Sequence, residues 1–524
     1  MPKNQKWFWL AALVAAWLFD FLFWKKPFGV SFLIWVVVLL GAGYLLAWSE
    51  GKKPNWRSIL LTVAIVGFSA VMALRSEPMT RAVSVLLAFG GMVLLTATFL
   101  NGYWSWYRVR DYFTEFASVI GVGFSGAVML ASRTKNPSPP EGTPVKSGGS
   151  KAWPILRGVL IALPIVAIFS VLLSAADPVF ADWLKGIFNL DKLPEYLFRL
   201  FYILIIGGFL VGIYLKAIHP AKEAQKPAPN QPWMKPFLGW TESGIVLGAV
   251  NLLFIVFVII QVRYLFGGNA NISETGYTYA EYARKGFGEL VAVAVLSLVL
   301  YLVLSTITKA NSRGAKFGFT ALSVLLMANV MVILTSSLQR LMLYEEAYGF
   351  SQLRTYTHVF IYWLAALIVT VVLLELVRRR GHFALALLVA LVGFGVSLAI
   401  LNVDGFIVNR NVQRAQAGEE LDLGYLNTLS TDAVPQLVNN YSNEELPLET
   451  REMLGAALAC REKTTDDPKM LPWQGYTLSH ARAYKLLQEN AATWSQYKPF
   501  MQYNEWLIRV NGEDIPCSNF LGID

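Results

Sequence analysis

Residues 383–401 read FALALLVALVGFGVSLAIL, an apolar stretch without a single charged side chain. About 20 such residues in one helix are enough to cross the hydrocarbon core of a bilayer. Blocks of this kind recur along the chain. Only helices can supply so many separate crossings, because each helix satisfies its own backbone hydrogen bonds. The sequence therefore predicts an all-α fold, a polytopic helical membrane protein.

The composition of the whole chain supports this prediction. Apolar residues make up 55% and charged residues 15% of the 524 residues, whereas soluble proteins carry about 25% charged residues. Mean hydropathy is +0.47. The formal net charge is +9, but the Lys and Arg residues lie in short loops between apolar blocks, which is the pattern of membrane orientation. We therefore expect the lipid bilayer as a partner and no nucleic acid.

About eleven membrane-spanning helices are predicted from these blocks. The first block is interpreted as a retained span and not as a cleaved signal peptide, because it is long, rich in Trp and Phe, and followed by no small-residue cleavage site. The predicted spans cover residues 7–24, 28–48, 58–74, 82–100, 155–173, 198–217, 245–264, 287–307, 317–338, 358–377 and 383–401.

The segment from Phe116 to Leu130 is open to three interpretations. It is apolar but short and rich in glycine, so it could be a twelfth span, a re-entrant segment or a helix on the membrane surface. With eleven alternating spans, every strongly basic loop lies on the side of the N-terminus, whereas a crossing at this segment would divide those loops between the two sides. Charge counting therefore favours eleven spans, a cytoplasmic N-terminus and an extracytoplasmic C-terminus.

Shifts in composition predict four regions of the chain. The stretch NPSPPEGTPVKSGGS at residues 136–150 is a flexible linker by its Pro, Gly and Ser content. Charges become frequent after residue 401, and helical stretches are predicted at 431–441, 448–461 and 478–489. The predicted regions are a membrane part of four spans plus a possible interfacial helix (1–132), a cytoplasmic linker (133–152), a main membrane domain of seven spans (153–401) and a soluble helical domain (402–524).

Both cysteines, Cys460 and Cys517, lie in the terminal region. On the predicted topology they face an oxidising space, where they form either a disulfide or two independent thiols. The region has one histidine, His480, and no CxxC motif, so no zinc site is predicted.

Signatures of soluble enzymes are missing from the sequence. It contains no GxxxxGK[ST] phosphate loop, no GxGxxG after a strand, no HExxH and no GxSxG. Four histidines in the whole chain also make a histidine-rich metal centre improbable. We therefore predict no cofactor and no metal. The sequence favours a non-enzymatic protein over an enzyme.

Polar residues gather at the span ends that the predicted topology places at the outer face. Ionisable residues inside the membrane are costly and tend to be functional, whereas charged residues at helix ends are normal and can pair simply to hold neighbouring helices together. The candidates for a ligand or interaction site are Asp177, Gln261, Arg263, Glu281, Arg284, Glu289, Arg340, Glu345, Tyr348, Arg354, His358, Asp404 and Arg410. Glu375 is interpreted as a surface partner of Arg378 and Arg379. Asn251 and Asn329 are interpreted as interhelical hydrogen-bonding residues.

Several motifs in the chain resemble a known family. They are FDFLFWKKPFGVSF, RGVLIALPI, LLSAADPVF, FVIIQVRYLFGG, GYTYAEYARKGFGELV, LMLYEEAYGFSQLRTYT and LNVDGFIVNRNVQRAQAGEELDLGYLNTLSTDAVPQL. The sequence is similar here to bacterial multi-pass membrane proteins described only as a domain of unknown function, the 4173/4153 group. The resemblance runs from Trp7 to about Leu437. It implies an integral bacterial membrane protein and supplies no catalytic residues.

Three functions compete on this evidence. The leading hypothesis is a non-enzymatic envelope protein with an outer-face polar site and a C-terminal domain that binds a ligand or a partner, for sensing or assembly. The second is a secondary transporter, for which few polar residues lie near the middle of a span. The third is a membrane-embedded transferase acting on a lipid-linked substrate, with Asp177, Asp182 and Asp191 as its acidic candidates.

Overall fold

The computed structural model describes residues 2–133, 193–220, 236–265 and 286–517, together with six single positions between 166 and 180. The predicted span 155–173, apart from those single positions, lies outside the described residues. The linker at 136–150 and the candidates Glu281 and Arg284 also lie outside them.

Ten of the described helices are long and apolar enough to cross a membrane. This confirms the predicted all-α polytopic fold. They are α1 (Gln5–Phe23), α2 (Val30–Ser49), α3 (Trp56–Leu74), α4 (Pro78–Thr98), α6 (Leu193–Ile218), α7 (Trp240–Leu265), α8 (Phe287–Ile307), α9 (Arg313–Tyr348), α10 (Gln352–Leu376) and α11 (Phe383–Leu401), with α5 (Val109–Arg133) as a further long helix.

Side-chain caps mark where several of these helices begin. The Asn55 side chain accepts from the backbone N–H of Arg57 at the start of α3. Glu77 does the same for two N–H groups of α4, which has Pro78 in its first turn. Ser312 caps α9. These caps satisfy N–H groups that have no partner within the helix, so they define where each helix enters the membrane region.

The helix ends form two opposite faces. Trp24, after α1, lies 2.6 Å from the carboxylate of Glu195 at the start of α6. Arg75, after α3, donates to the carbonyl of Ala399 near the end of α11. The terminal domain packs on this set of helix ends. We call this set of ends the docking face. The far face holds the opposite ends, for example Glu50, which lies 3.3 Å from His219. The directions of the ten helices follow the predicted alternation.

Helix α5 contains the segment whose placement the sequence leaves open. It runs antiparallel along α6, from the 2.8 Å ion pair between Glu115 and Lys216 to a close backbone contact at Gly212. A Cβ atom on Gly212 would lie 2.3 Å from the carbonyl oxygen of Val122. Small residues that let helix backbones touch are typical of membrane helix pairs. With 25 residues the helix is about 37 Å long. Its composition keeps it out of the ten helices that are long and apolar enough to cross a membrane, and its packing places it alongside α6.

Packing divides the membrane helices into a front and a rear group. The front core unites α1 to α6 around residues such as Phe8, Ile65 and Val211. The rear core unites α7 to α11 around residues such as Leu247 and Met327. Helix α6 follows the predicted linker in sequence but packs with the front group, because its partners are α1 and α5. The two groups meet where α4 contacts α11.

The terminal domain has one hydrophobic core built from five helices and a sheet. The helices are α12 (Val403–Gln416), α13 (Leu423–Thr428), α14 (Val434–Tyr441), α15 (Leu448–Thr464) and α16 (Leu478–Glu489). Predicted helices coincide with α14, α15 and α16. A disulfide joins Cys460 of α15 to Cys517, just after the last strand.

The sequence predicts only helices in this domain, and the structure adds an antiparallel sheet. A separate parallel pair in the membrane part consists of β1 (Leu238–Gly239) and β2 (Thr308–Lys309). The sheet of the terminal domain consists of β3 (Phe500–Gln502), β4 (Glu505–Val510) and β5 (Glu513–Pro516). The strands are too short for a clear alternation of apolar and polar residues. Their turns place Tyr503, Asn504 and Asn511 at positive φ, and only Asn511–Gly512 is a turn that the sequence indicates.

Candidate functional site

Three carboxylates are buried where the terminal domain meets the docking face. Glu77 precedes α4, Asp404 lies in the first turn of α12, and Asp432 lies in a 3-10 turn before α14. All three are less than 5% exposed. Together with Tyr356 of α10 they form what we call the polar junction. Buried carboxylates require hydrogen-bonding partners, so their contacts indicate what the junction does.

Glu77 connects two membrane helices. Its two carboxylate oxygens accept from the backbone N–H groups of Met79 and Thr80, each at 2.7 Å. The hydroxyl of Tyr356 donates to the same carboxylate. Thus one side chain caps α4 and also holds α10 against it.

Asp432 reaches from the terminal domain to the membrane part. Its Oδ2 atom accepts from the backbone N–H groups of Ser76 and Glu77, each at 2.8 Å. The guanidinium of Arg75 lies 3.9 Å from its other oxygen. The terminal domain therefore satisfies the exposed backbone donors of the turn between α3 and α4.

Asp404 is the most enclosed carboxylate of the polar junction. It accepts from the Gln352 side chain and from the backbone N–H of Ser430, both at 2.7 Å. Burial raises the pKa of Asp404, and the nearby charge of Glu77 raises it further. Arg461 is also buried, and burial lowers its pKa to about 10, while the charge of Asp404 acts in the opposite direction.

The carboxylates of the polar junction act as hydrogen-bond acceptors that connect parts of the protein. Both oxygens of Glu77 and both oxygens of Asp404 already accept hydrogen bonds from the protein. Among the described residues, no group of three or more His, Cys, Asp and Glu side chains has the geometry to hold a metal ion. The junction joins the terminal domain to the membrane helices through these hydrogen bonds and those of Asp432.

Two of the predicted candidates meet inside the rear helix group. The side-chain oxygen of Gln261 accepts from Arg340 and from Ser336, both at 3.0 Å. Both Gln261 and Arg340 are buried. Sequence separation between them is 79 residues, so only the packing of α7 against α9 brings them together.

Further candidates brace the turn between α9 and α10. The carboxylate of Glu345 lies 3.1 Å from Nδ1 of His358. The guanidinium of Arg354 donates to the carbonyls of Tyr348 and Gly349 and lies 3.9 Å from the ring centre of Tyr344. These contacts stabilise the turn that supports α12 of the terminal domain.

Three further candidates are exposed in the described part of the chain. Arg410 is exposed and lies over the rings of Phe350 and Phe406. Glu289 and Asp177 are exposed. Only the backbone of Arg263 belongs to the described residues. The predicted outer-face set is therefore distributed over several local contacts along the docking face.

A buried ion pair in the front group is absent from the sequence-based candidates. Asp20 near the end of α1 accepts from Arg199 and Tyr202 of α6, and it is 3% exposed. Asp20 is the acidic residue within the motif FDFLFWKKPFGVSF. The sequence signal that could have identified this pair is an acidic residue inside a predicted span, because such a residue needs a partner.

The interpretation of Glu375 as a surface partner of Arg378 and Arg379 is wrong. Glu375 is 1% exposed and accepts from Tyr301 and Thr320, each at 2.7 Å. Its basic partner is Arg380, since the chain turns back after α10. The interhelical role of Asn251 and Asn329 agrees with the structure, where the two side chains hydrogen bond at 3.1 Å.

Fold and site together define an integral, multi-pass helical membrane protein whose terminal domain is docked on one face of the helix ends. The chain belongs to the family described as a domain of unknown function, DUF4153, whose model matches residues 12–440. The match ends within α14, so it includes the polar junction and excludes α15, α16 and the sheet. No curated protein and no solved structure matches the chain.

Proposed function

We propose that this protein is a non-enzymatic envelope protein that presents its terminal domain outside the cytoplasm to bind a partner or a ligand, in sensing or assembly. The observation that carries the proposal is the polar junction. Its carboxylates hold the terminal domain on the helix ends through hydrogen bonds from the membrane part and from the domain itself. A domain held at a fixed position on a membrane face is suited to display a binding surface.

The charge distribution supports an extracytoplasmic docking face. Three basic groups lie at the far face, and cytoplasmic loops carry an excess of Lys and Arg. They are Lys52, Lys53 and Arg57, then Lys309, Arg313 and Lys316, and finally Arg378, Arg379 and Arg380. The disulfide between Cys460 and Cys517 supports the same assignment, because such bonds persist in oxidising compartments.

The hairpin between β3 and β4 offers a binding surface on the terminal domain. Tyr503 at its tip is 95% exposed, and Met501 beside it is also exposed. Tyr and Met are enriched at protein interfaces. The hairpin is attached to the domain core through Trp506 and Ile508 of β4. The exposed side chains of Met501 and Tyr503 support recognition of a protein partner at this point.

Thiol labelling in intact cells tests the location of the terminal domain. A membrane-impermeant maleimide is applied before and after an impermeant reductant, with a denatured sample as the control for burial. We expect labelling only after reduction, because Cys460 and Cys517 are bonded to each other. The chain has no other thiol that could be labelled. Labelling that requires permeabilised cells would place the domain in the cytoplasm and would refute the proposed location.

Site-specific crosslinking tests the binding role. A photo-reactive amino acid replaces Tyr503 in the full chain, and the matched control carries it at Lys485, an exposed position of α16. We expect a discrete adduct at position 503 that is lost when Met501→Asp is added. Equal adducts at both positions, or none at 503 in correctly exported protein, would count against a partner at the hairpin.

A further inference from the structure

The loop at residues 470–478, between α15 and α16, exposes an apolar surface beside the membrane helices. We call it the interfacial loop. Met470 is 84% exposed and Trp473 is 51% exposed, and Leu471, Tyr476 and Leu478 also have large exposed fractions. A loop at the surface of a domain is ordinarily polar, so this concentration of apolar side chains points to a covering partner.

Backbone contacts hold the interfacial loop against the connection between α1 and α2. The N–H of Val30 donates to the carbonyl of Tyr476 at 2.9 Å. A Cβ atom on Gly29 would lie 2.5 Å from the carbonyl carbon of Gly475, and one on Gly475 would lie 2.4 Å from the ring of Pro27. Glycine at both positions therefore lets the two backbones touch. The loop is fixed at the level where α1 ends and α2 begins.

The ring of Trp473 shows how deep the loop lies. Its centre is 6.5 Å from the ring of Phe21, in the last turn of α1. Phe21 is stacked on Trp17 one turn earlier, and both are exposed on the outside of a membrane-spanning helix. Exposed apolar residues on such a helix face lipid. The apolar surface of the interfacial loop thus continues the lipid-facing surface of α1.

From this continuity we propose that the interfacial loop inserts into the leaflet at the docking face, with Met470, Leu471 and Trp473 at the boundary between headgroups and acyl chains. Trp and Tyr concentrate at this boundary because their rings are apolar with one polar atom. Lys469 and Lys26 flank the loop, and the Lys26 ammonium lies 4.5 Å from the ring centre of Phe21. In this placement the two amines would face the lipid phosphates. The occupant is the phospholipid leaflet, and the loop anchors the terminal domain to it independently of the polar junction.

Depth-dependent fluorescence quenching tests this anchor in the full chain reconstituted into phosphatidylcholine vesicles. Met470→Cys is labelled with a nitrobenzoxadiazole maleimide under non-reducing conditions, because the native cysteines are bonded to each other. Lys485→Cys is the matched control on an exposed charged position. We expect the label at 470 to be quenched by lipids spin-labelled near the headgroup and protected from aqueous iodide. The label at 485 should show the opposite pattern.

Two outcomes would overturn the anchor. Iodide quenching at 470 equal to that at 485 would place the loop in water. Protection at 470 from both quenchers would mean that protein, such as a second copy of the chain, covers the loop. Leu471→Cys provides a second label position if the first variant does not fold. The measurement involves no partner of the hairpin and no assignment of membrane side, so its outcome is separate from that of the proposed function.

Discussion

At the scale of single residues, the polar junction combines burial with hydrogen bonds from both parts of the molecule. Asp404 lies within the terminal domain, yet its nearest donors include Gln352 at the start of α10. Asp432 lies in the same domain and accepts from the backbone of the α3–α4 turn. Removal of one partner would leave a buried polar group unsatisfied, which costs more than the net gain of a hydrogen bond.

The first prediction concerns the pH dependence of Asp404. Because burial raises its pKa, the folded protein keeps this proton at pH values where an unfolded Asp, with a pKa of about 3.9, loses it. Its contribution to stability is therefore full below that value and is lost as the pH rises through the folded pKa. Asp404→Asn should become more stable relative to the wild type as the pH rises above about 4, measured as the thermal unfolding midpoint.

Asp514→Asn is the control for that experiment, with the opposite sign. Arg509 donates to Asp514 at 2.6 Å and lowers its pKa. The stabilisation from this exposed pair is present at neutral pH and is lost as the pH falls through the lowered pKa. A pH trend of the same sign in both variants would contradict the assignment of the effect at Asp404 to burial.

The second prediction concerns Glu77. Replacing it by Ala removes the cap of α4 and the acceptor of the Tyr356 hydroxyl. The expected cost is about 2–4 kcal/mol, from a lost cap and an unsatisfied buried donor. Glu77→Gln keeps one acceptor and should cost less. Thermal unfolding of the purified protein, with protease sensitivity of the terminal domain as a second readout, measures both variants. Equal losses would show that hydrogen bonding at this position is unimportant.

At the scale of elements, glycine contacts determine which helices and loops can approach closely. The pair α5 and α6 touch at Gly126 and Gly212, where no side chain would fit. The α1–α2 connection and the interfacial loop touch at Gly29 and Gly475. These two contacts position a membrane helix and a domain loop by the same physical means, since a missing Cβ lets backbones meet.

The third prediction compares two glycines of α6. Gly212→Ala places a Cβ 2.3 Å from a backbone carbonyl of α5, whereas Gly208→Ala places one 3.5 Å from the methyl group of Ala127. The first change should destabilise the helix pair by about 1–3 kcal/mol, as overpacking does, and the second should be neutral. The unfolding midpoint in detergent measures this difference. Equal behaviour of the two variants would refute the close contact.

The fourth prediction compares Gly29, the N-cap of α2, with Gly41 inside the same helix. Gly29→Ala would clash with the backbone of Gly475, whereas a Cβ on Gly41 meets nothing within 4 Å. Gly29→Ala should release the interfacial loop and expose residues 470–478 to protease. Gly41→Ala should leave cleavage unchanged. Mass spectrometry of the fragments identifies the cleavage site, and protection of the loop in Gly29→Ala would contradict the packing.

At the scale of the whole molecule, the terminal domain is held by contacts from several parts of the chain. The polar junction binds it to α4 and α10, the interfacial loop binds it to α1 and α2, and α12 continues directly from α11. Its own core depends on the disulfide, which links α15 to the last strand. The domain and the membrane helices thus form one connected structure with separate stabilising elements.

The fifth prediction concerns that disulfide. The bonded cysteines are 57 positions apart, and the chain-entropy model assigns about 4 kcal/mol to closing such a loop. Reduction, or the double change of Cys460 and Cys517 to Ser, should lower the unfolding midpoint of the terminal domain and leave the membrane helices folded. The reductant should have no effect on the double variant. An unchanged midpoint after verified reduction would contradict a stabilising role.

Much of the membrane fold could be predicted because lipid imposes composition on each span separately. The apolar block at 383–401 coincides with α11, and the pattern of basic loops matches the alternating helix directions. The site could be predicted only in part. Asp404, Gln261 and Glu345 were candidates because they are polar residues at span ends. Glu77 and Asp432 were not, since each alone resembles an ordinary helix cap.

By itself, the sequence determined the class of protein and the positions of the ten described apolar helices, since a segment that crosses lipid must be apolar along its length. The tertiary structure alone decided which polar groups meet. Glu77 and Asp432 are joined over 355 residues and Asp20 and Arg199 over 179. Only the tertiary structure placed α5 antiparallel against α6. These features depend on close contacts between distant segments, and local hydropathy contains no record of them.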